Sequence, residues 1–140
     1  MTERFLVLIV VAAVVAMAVL LVRAWNRHRM HALMQAAGAQ AWDNLQETPD
    51  GRRTLVSFST PSCAACHTAQ APEVTAVEAQ LGASSVRVIK VDAARQPQVA
   101  QAFGVLTVPS TIVLAPSGQV VAVNQGFAPS KRLVEQLQRA

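Results

Sequence analysis

From Phe5 to Val22 the chain runs FLVLIVVAAVVAMAVLLV, 18 residues with neither a charge nor a proline. As a helix rising about 1.5 Å per residue, this stretch is about 27 Å long, just enough for the hydrocarbon core of a bilayer. One N-terminal transmembrane helix is therefore expected, with Trp25 just beyond it at an interfacial position. A chain of 140 residues that begins this way keeps room for one globular domain and a short connector, and the span accounts for part of its 52% hydrophobic content. The expected division is an anchor with its basic flank over 1–29, a helical stalk or first domain helix over 30–51, and a domain over 52–140. A cleavable secretory signal competes with the anchor, with Met1 to Arg4 as its basic start and Ala16-Met17-Ala18 as a small-x-small cleavage site. Cleavage there would leave Val19 to Val22 exposed, and the run is longer than a signal core needs, so the anchor is preferred.

Charge follows the same segment. Lys and Arg number 12 against 8 Asp and Glu, and Arg4, Arg23, Arg27 and Arg29 flank the apolar run. The pI near 10.0 is thus a small surplus beside a membrane. No Lys/Arg stripe with interleaved aromatics accompanies it, and no nucleic-acid partner is expected. Single-pass placement in a cell membrane follows, with opposed cues to the side. The Arg residues after the span favour a cytoplasmic C-terminal domain, whereas a short tail before a single span suits a signal-anchor that exports the domain. The basic flank tips the reading narrowly to the cytoplasm.

Met30 to Gln46 is rich in Ala, Leu, Met and Gln, with Leu33, Ala37, Ala41 and Leu45 at spacings of four, and predicts a helix bent near Gly38. Thr48-Pro49-Asp50-Gly51 is a turn signal. Thr54 to Ser59 reads as a buried strand that runs straight into Thr60-Pro61-Ser62-Cys63. A helix is predicted over His67 to Leu81, kinked at Pro72 and stopped by Gly82. Val86 to Val91 alternates as a strand, with Val86, Val88 and Ile89 inward, and ends at Asp92. Pro97 to Phe103 predicts a short helix closed by Gly104, and Ser110–Leu114 with Gln119–Val123 predicts a hairpin around Ala115-Pro116-Ser117-Gly118. Ser130 is the predicted N-cap of a last helix, Lys131 to Arg139, with Leu133, Val134 and Leu137 on one face. This order implies an α/β sheet with parallel and antiparallel members.

Two cysteines are too few for a disulfide scaffold or a four-ligand zinc site, and no metal site is expected. Their placement is more specific, between a predicted strand and a predicted helix. Cysteines three positions apart in a first helical turn bring their sulfurs within bonding reach without moving the backbone. The first faces unpaired N–H groups and the positive end of the helix, which favour a thiolate over the free thiol of pKa about 8.5. Cys63 is thus the expected nucleophile and Cys66, one turn deeper, the resolving thiol. Cys63-Ala64-Ala65-Cys66-His67 also satisfies the c-type haem attachment pattern, with His67 as iron ligand. Against haem, all four Met lie at or before Met34, and strand-rich runs follow the motif. His67 reads instead as a partly exposed neighbour of the thiols which, when protonated, favours the Cys63 thiolate. A further alternative is a non-catalytic assembly factor that holds copper, since two thiolates bind Cu(I), although no Met-rich or His-rich companion motif is present.

Taken together these residues resemble the thioredoxin superfamily, over roughly Arg53 to Ala140. Pro72 falls where that family kinks its active-site helix, and Val91-Asp92 ends a strand as it does there. Phe103-Gly104-Val105 precedes Thr107-Val108-Pro109-Ser110-Thr111 at the family's spacing, and Gly126 and the last helix also correspond. The resemblance implies a thioredoxin-like mixed sheet of about four strands flanked by helices. It further implies a cis Pro109 facing the disulfide, and Val108 as the residue whose backbone pairs with an extended substrate segment. The implied activity is a thiol/disulfide oxidoreductase that needs no bound cofactor beyond its own Cys63–Cys66 disulfide. Its partners would be protein thiols or disulfides and an unidentified electron-donor or acceptor protein. Departures from the family are equally plain: Ser62 stands where Trp usually precedes the first Cys, and Ala64-Ala65 replaces Gly-Pro. Ser57 occupies the place of the buried acid that assists proton transfer, and the family's first strand is missing or fused into Met30 to Gln46. Proton removal from Cys66 then falls to water or His67, with Ser62 and His67 modulating the pair, which fits a specialised or slower member.

Overall fold

The computed structural model describes residues 11–25 and 40–140, which fall in two compact units, Met1–Met34 and Gln35–Ala140. In the first unit residues 11–25 are helical, with every side chain exposed. Among the described residues no helix is long and apolar enough to cross a membrane. The expected span starts at Phe5, so its residues 5–10 lie outside the described ones, as do residues 30–39 of the next expected helix with its bend at Gly38.

The first described element of the second unit is α1, residues 40–45. It ends where Gln46 turns to φ 55° and the Glu47 N–H reaches back to the Trp42 carbonyl at 3.1 Å, a backbone closure that satisfies an orphan carbonyl. The chain continues through β1 (Arg53–Ser59), α2 (residues 64–81), β2 (Val86–Asp92), α3 (Pro97–Ala102), β3 (Ser110–Leu114), β4 (Val120–Gln125) and α4 (Ser130–Gln138). Four strands make one sheet in the order β2-β1-β3-β4. β1 and β2 run parallel, joined by the crossover through α2, while β3 is antiparallel to both β1 and β4. The central strands are largely buried, β3 along its whole length, because each has a helix layer on either side. Leu55 and Val113 face Val74 and Val77 of α2 and Leu133 and Leu137 of α4. Val56, Phe58, Ile112 and Leu114 face Ala41 and Trp42 of α1 and Ala100 of α3. Phe58 also meets the Phe103 ring at 6.0 Å between centroids. Full burial of each such aliphatic or aromatic side chain contributes roughly 1.5–3 kcal/mol.

Several boundaries differ from expectation for identifiable reasons. α2 starts at residue 64 rather than His67, because its first turn is built around the cysteines. β4 runs on to Gln125, held by pairing with β3. On β2 the alternation is blurred: Val88 packs against one core cluster and Ile89 against the other, since both faces of the sheet are covered. The expected N-cap role of Ser130 is corrected. Pro129 is the cap residue, with no side-chain hydrogen bond, and Ser130 is already helical. The Ser130 N–H instead donates to the Glu73 carboxylate of α2, 57 positions away, so the acceptor comes from a neighbouring helix.

Candidate active site

β1 hands the chain directly to the site. Its last residue, Ser59, accepts the Ala93 N–H at 2.8 Å, and the turn Thr60-Pro61-Ser62 closes with the Cys63 N–H on the Thr60 carbonyl at 3.1 Å. Cys63 is therefore the residue just before the helix. Its Sγ accepts the Cys66 N–H at 3.1 Å, standing where an N-cap oxygen normally stands. The two sulfurs form a disulfide, 2.17 Å apart, and the Cα–Cα separation of 5.3 Å is inside the ordinary range for such a bridge. Cys63 is half-buried and Cys66 is only 4% exposed, so one sulfur is reachable and the other is shielded.

Immediately after the cysteines the helix takes a π turn over Cys66–Gln70, and the Ala71 N–H reaches the Cys66 carbonyl five residues back. The expected irregularity at Pro72 thus falls in the preceding turn, and Pro72 itself is exposed near the start of the regular helix. Gln70 is turned inward, 1% exposed. Its Nε2 donates to the Ala128 carbonyl at 3.0 Å, and its Oε1 accepts the Ala128 N–H at 2.9 Å. One carboxamide thereby ties the cysteine-bearing helix to the loop before α4. Gln70 was not among the expected site residues. The available signal was its place on the buried stripe Cys66, Gln70, Val74, at steps of four, where a polar side chain needs a partner.

The other expected residues are placed as follows. The Val108–Pro109 bond is cis, with Pro109 buried and Val108 half-buried. Ser110 pairs with Phe58, so this bond lies at the sheet end where β1 passes into the cysteine turn. Topology therefore brings Cys63, Cys66, Val108 and Pro109 to one end of the sheet. Ser62 and His67 are exposed, and His67 Nε2 lies 3.3 Å from the Pro61 carbonyl, which draws the ring back over the turn. Ser57 sits in a row crossing all four strands, Lys90, Ser57, Thr111 and Asn124, which contains no carboxylate. Asn124 extends that row by donating to Thr111 Oγ1 at 3.1 Å and exchanging hydrogen bonds with Gln136 of α4. Among the described residues no group of three or more His, Cys, Asp or Glu converges as a metal site would. A groove of about 280 Å³ adjoins Val108, lined by Ala93, Pro97, Ala100, Val105 and Leu106.

Comparison with known proteins gives a consistent picture. The Thioredoxin family model matches residues 35–139. Thioredoxin of Bacillus subtilis (strain 168) is 30% identical over 89 residues, covering 64% of this chain and 82% of that protein. Thioredoxin 1 of Nostoc sp. (strain PCC 7120 / SAG 25.82 / UTEX 2576) is 33% identical over 107 residues, covering 74% of this chain and 97% of that one. Among solved structures, Fasciola hepatica thioredoxin superposes with a TM-score of 0.54 at 27% identity, covering 64% of this chain and 81% of its own. Thioredoxin-2 of a malaria parasite does so with a TM-score of 0.56 at 22% identity, covering 64% and 84%.

Proposed function

The chain belongs to the thioredoxin family and is a thiol–disulfide oxidoreductase, and from that premise we propose that it exchanges disulfides with protein thiols while tethered to a membrane. The observation that carries the chemistry is the Cys66 N–H aimed at the Cys63 sulfur across the first helical turn. On reduction the same N–H and the positive helix end favour a Cys63 thiolate. That thiolate attacks a substrate disulfide, forming one S–S bond while the second substrate sulfur leaves as a thiolate. Cys66 then gives up its proton to water or His67 and attacks Cys63 Sγ. The Cys63–Cys66 disulfide closes, the first substrate sulfur leaves, and two electrons have passed to the substrate. Run backwards, the same steps oxidise a dithiol, and the electron partner decides the direction.

Val108 is the proposed pairing residue for an extended substrate segment. Its support is that, among the described residues, neither its N–H nor its C=O forms a hydrogen bond. Ser62 and His67, exposed beside the disulfide, are proposed to modulate the pair. The tether is the apolar run from Phe5, with a narrow preference for a cytoplasmic domain. It draws support from the bare apolar side chains of residues 11–25, among them Leu20 and Leu21 at 63% exposure each, which need an apolar surrounding.

Insulin reduction by the full chain in detergent tests the activity. Wild type is expected to catalyse it, Cys63→Ser to abolish it, and Cys66→Ser to accumulate a mixed disulfide. A wild-type chain that exchanges with no dithiol but binds Cu(I) tightly would move the reading to copper, and a Soret band would move it to haem. Alkaline carbonate extraction tests the tether, and C-terminal reporter fusions test the side.

A further inference from the structure

The loop between α3 and β3 carries Val108 and Pro109, yet its backbone does little to hold it. The Gly104 N–H bonds to Gln101 and the Val105 N–H to Ala100, at 3.0 and 2.8 Å. Beyond Val105, among the described residues, the hydrogen bonds to the loop backbone come from side chains. Gln125, the last residue of the edge strand β4, supplies one of these and a second just before Val105. Its Nε2 donates to the Gly104 carbonyl at 2.8 Å, and its Oε1 accepts the Leu106 N–H at 3.2 Å. Ser110 Oγ also lies 3.2 Å from that Oε1, but its single proton is better placed toward the Thr107 carbonyl at 2.6 Å. The Gln125 carboxamide thus acts as a peptide unit inserted between Gly104 and Leu106. Its own backbone is fixed by strand pairing with Ser110, so the loop is referred to a rigid element. On this same loop Leu106 projects at 89% exposure, Val108 makes no backbone hydrogen bond among the described residues, and Val105 to Val108 form one wall of the groove.

We infer that Gln125 is the positioning residue of the substrate-pairing loop: by holding Gly104 and Leu106 it presents Val108 and the adjoining groove to an extended segment of a protein substrate. The inference rests on the exchange reading above and deepens it. Gln125 touches neither sulfur, so its effect belongs to recognition of a polypeptide and not to sulfur chemistry.

A comparison of two substrates tests this on the full chain in detergent, using insulin and the small disulfide 5,5′-dithiobis(2-nitrobenzoate), which has no segment to pair. Both hydrogen bonds are solvent-accessible, so their loss in Gln125→Leu is expected to lower kcat/KM for insulin about fivefold, mainly through KM. The small-disulfide rate and the Cys63 thiol titration should stay within about twofold of wild type. Gln125→Glu keeps the acceptor for Leu106 but loses the donor to Gly104, and is expected to fall between the two. It carries the same comparison should the Leu variant fail to fold. Equal losses on both substrates, or an unchanged KM for insulin, overturn the role of Gln125 alone. A wild-type chain inactive on both substrates overturns the exchange reading, and this inference falls with it.

Discussion

At the residue scale the site is organised by groups that stand in for backbone. Cys63 Sγ takes the place of an N-cap oxygen, and the Gln70 carboxamide takes the place of a peptide across from Ala128. Gln70 and Ala128 are almost wholly buried, so neither can turn to water if the other is lost. Gln70→Leu, similar in volume, should therefore leave the Ala128 N–H and C=O unpaired and lower stability by about 2–4 kcal/mol. A drop in the urea midpoint with unchanged slope checks this. Trp42 offers the opposite case: the residue is 6% exposed, and its Nε1 is buried with no partner among the described residues. Trp42→Ala should cost about 3–5 kcal/mol as a cavity, whereas Trp42→Phe, which removes an unpaired donor, should cost under about 1.5 kcal/mol. Thermal or urea unfolding of the two variants separates them.

Between elements, one carboxylate does the capping that α4 does not do for itself. Hydrogen bonds from Ser130, its side chain first and its backbone N–H second, hold the Glu73 carboxyl below its ordinary value of 4.5. A carboxyl whose folded pKa is depressed contributes stability above its unfolded pKa and loses it as pH falls through the folded value. The α2–α4 junction is thus expected to weaken in acid, just below the ordinary Glu range. Glu73→Gln cannot titrate there, so the stability gap between wild type and variant should narrow as pH is lowered through that window, read by denaturant unfolding at successive pH values. Elsewhere Arg87 of β2 anchors the turn before β1, donating to the Thr48 carbonyl at 2.8 Å and pairing with Glu47. Such exposed pairs are worth about 0–1 kcal/mol each and serve placement more than stability.

Over the whole molecule the chain separates into a unit ending at Met34 and one starting at Gln35, and the Thioredoxin match also begins at residue 35. Both core clusters belong to the second unit, including Ala41 and Trp42. A chain starting at Gln35 is therefore expected to unfold cooperatively and to keep insulin reduction, while losing retention in the carbonate-washed membrane fraction. Fractionation and a calorimetric melt of the shortened chain check both halves of that statement.

Sequence alone sufficed for what depends on near neighbours. The spacing of Cys63 and Cys66, the apolar run of β1 before them, the stop at Gly82 and the stripe of Leu133, Val134 and Leu137 are set by local sterics and by periods of two or 3.6 residues, which can be read along the chain. The cis form of Val108–Pro109 was reached only through resemblance. Tertiary structure alone decided the pairings across long separations: Gln70 with Ala128, 58 positions apart, Glu73 with Ser130, 57 apart, and Gln125 with Gly104 and Leu106, 21 and 19 apart. Glutamine and glutamate carry no positional preference strong enough to announce such partners. Which backbone group each meets depends on how the helices and strands stack, and that is a property of the assembled core.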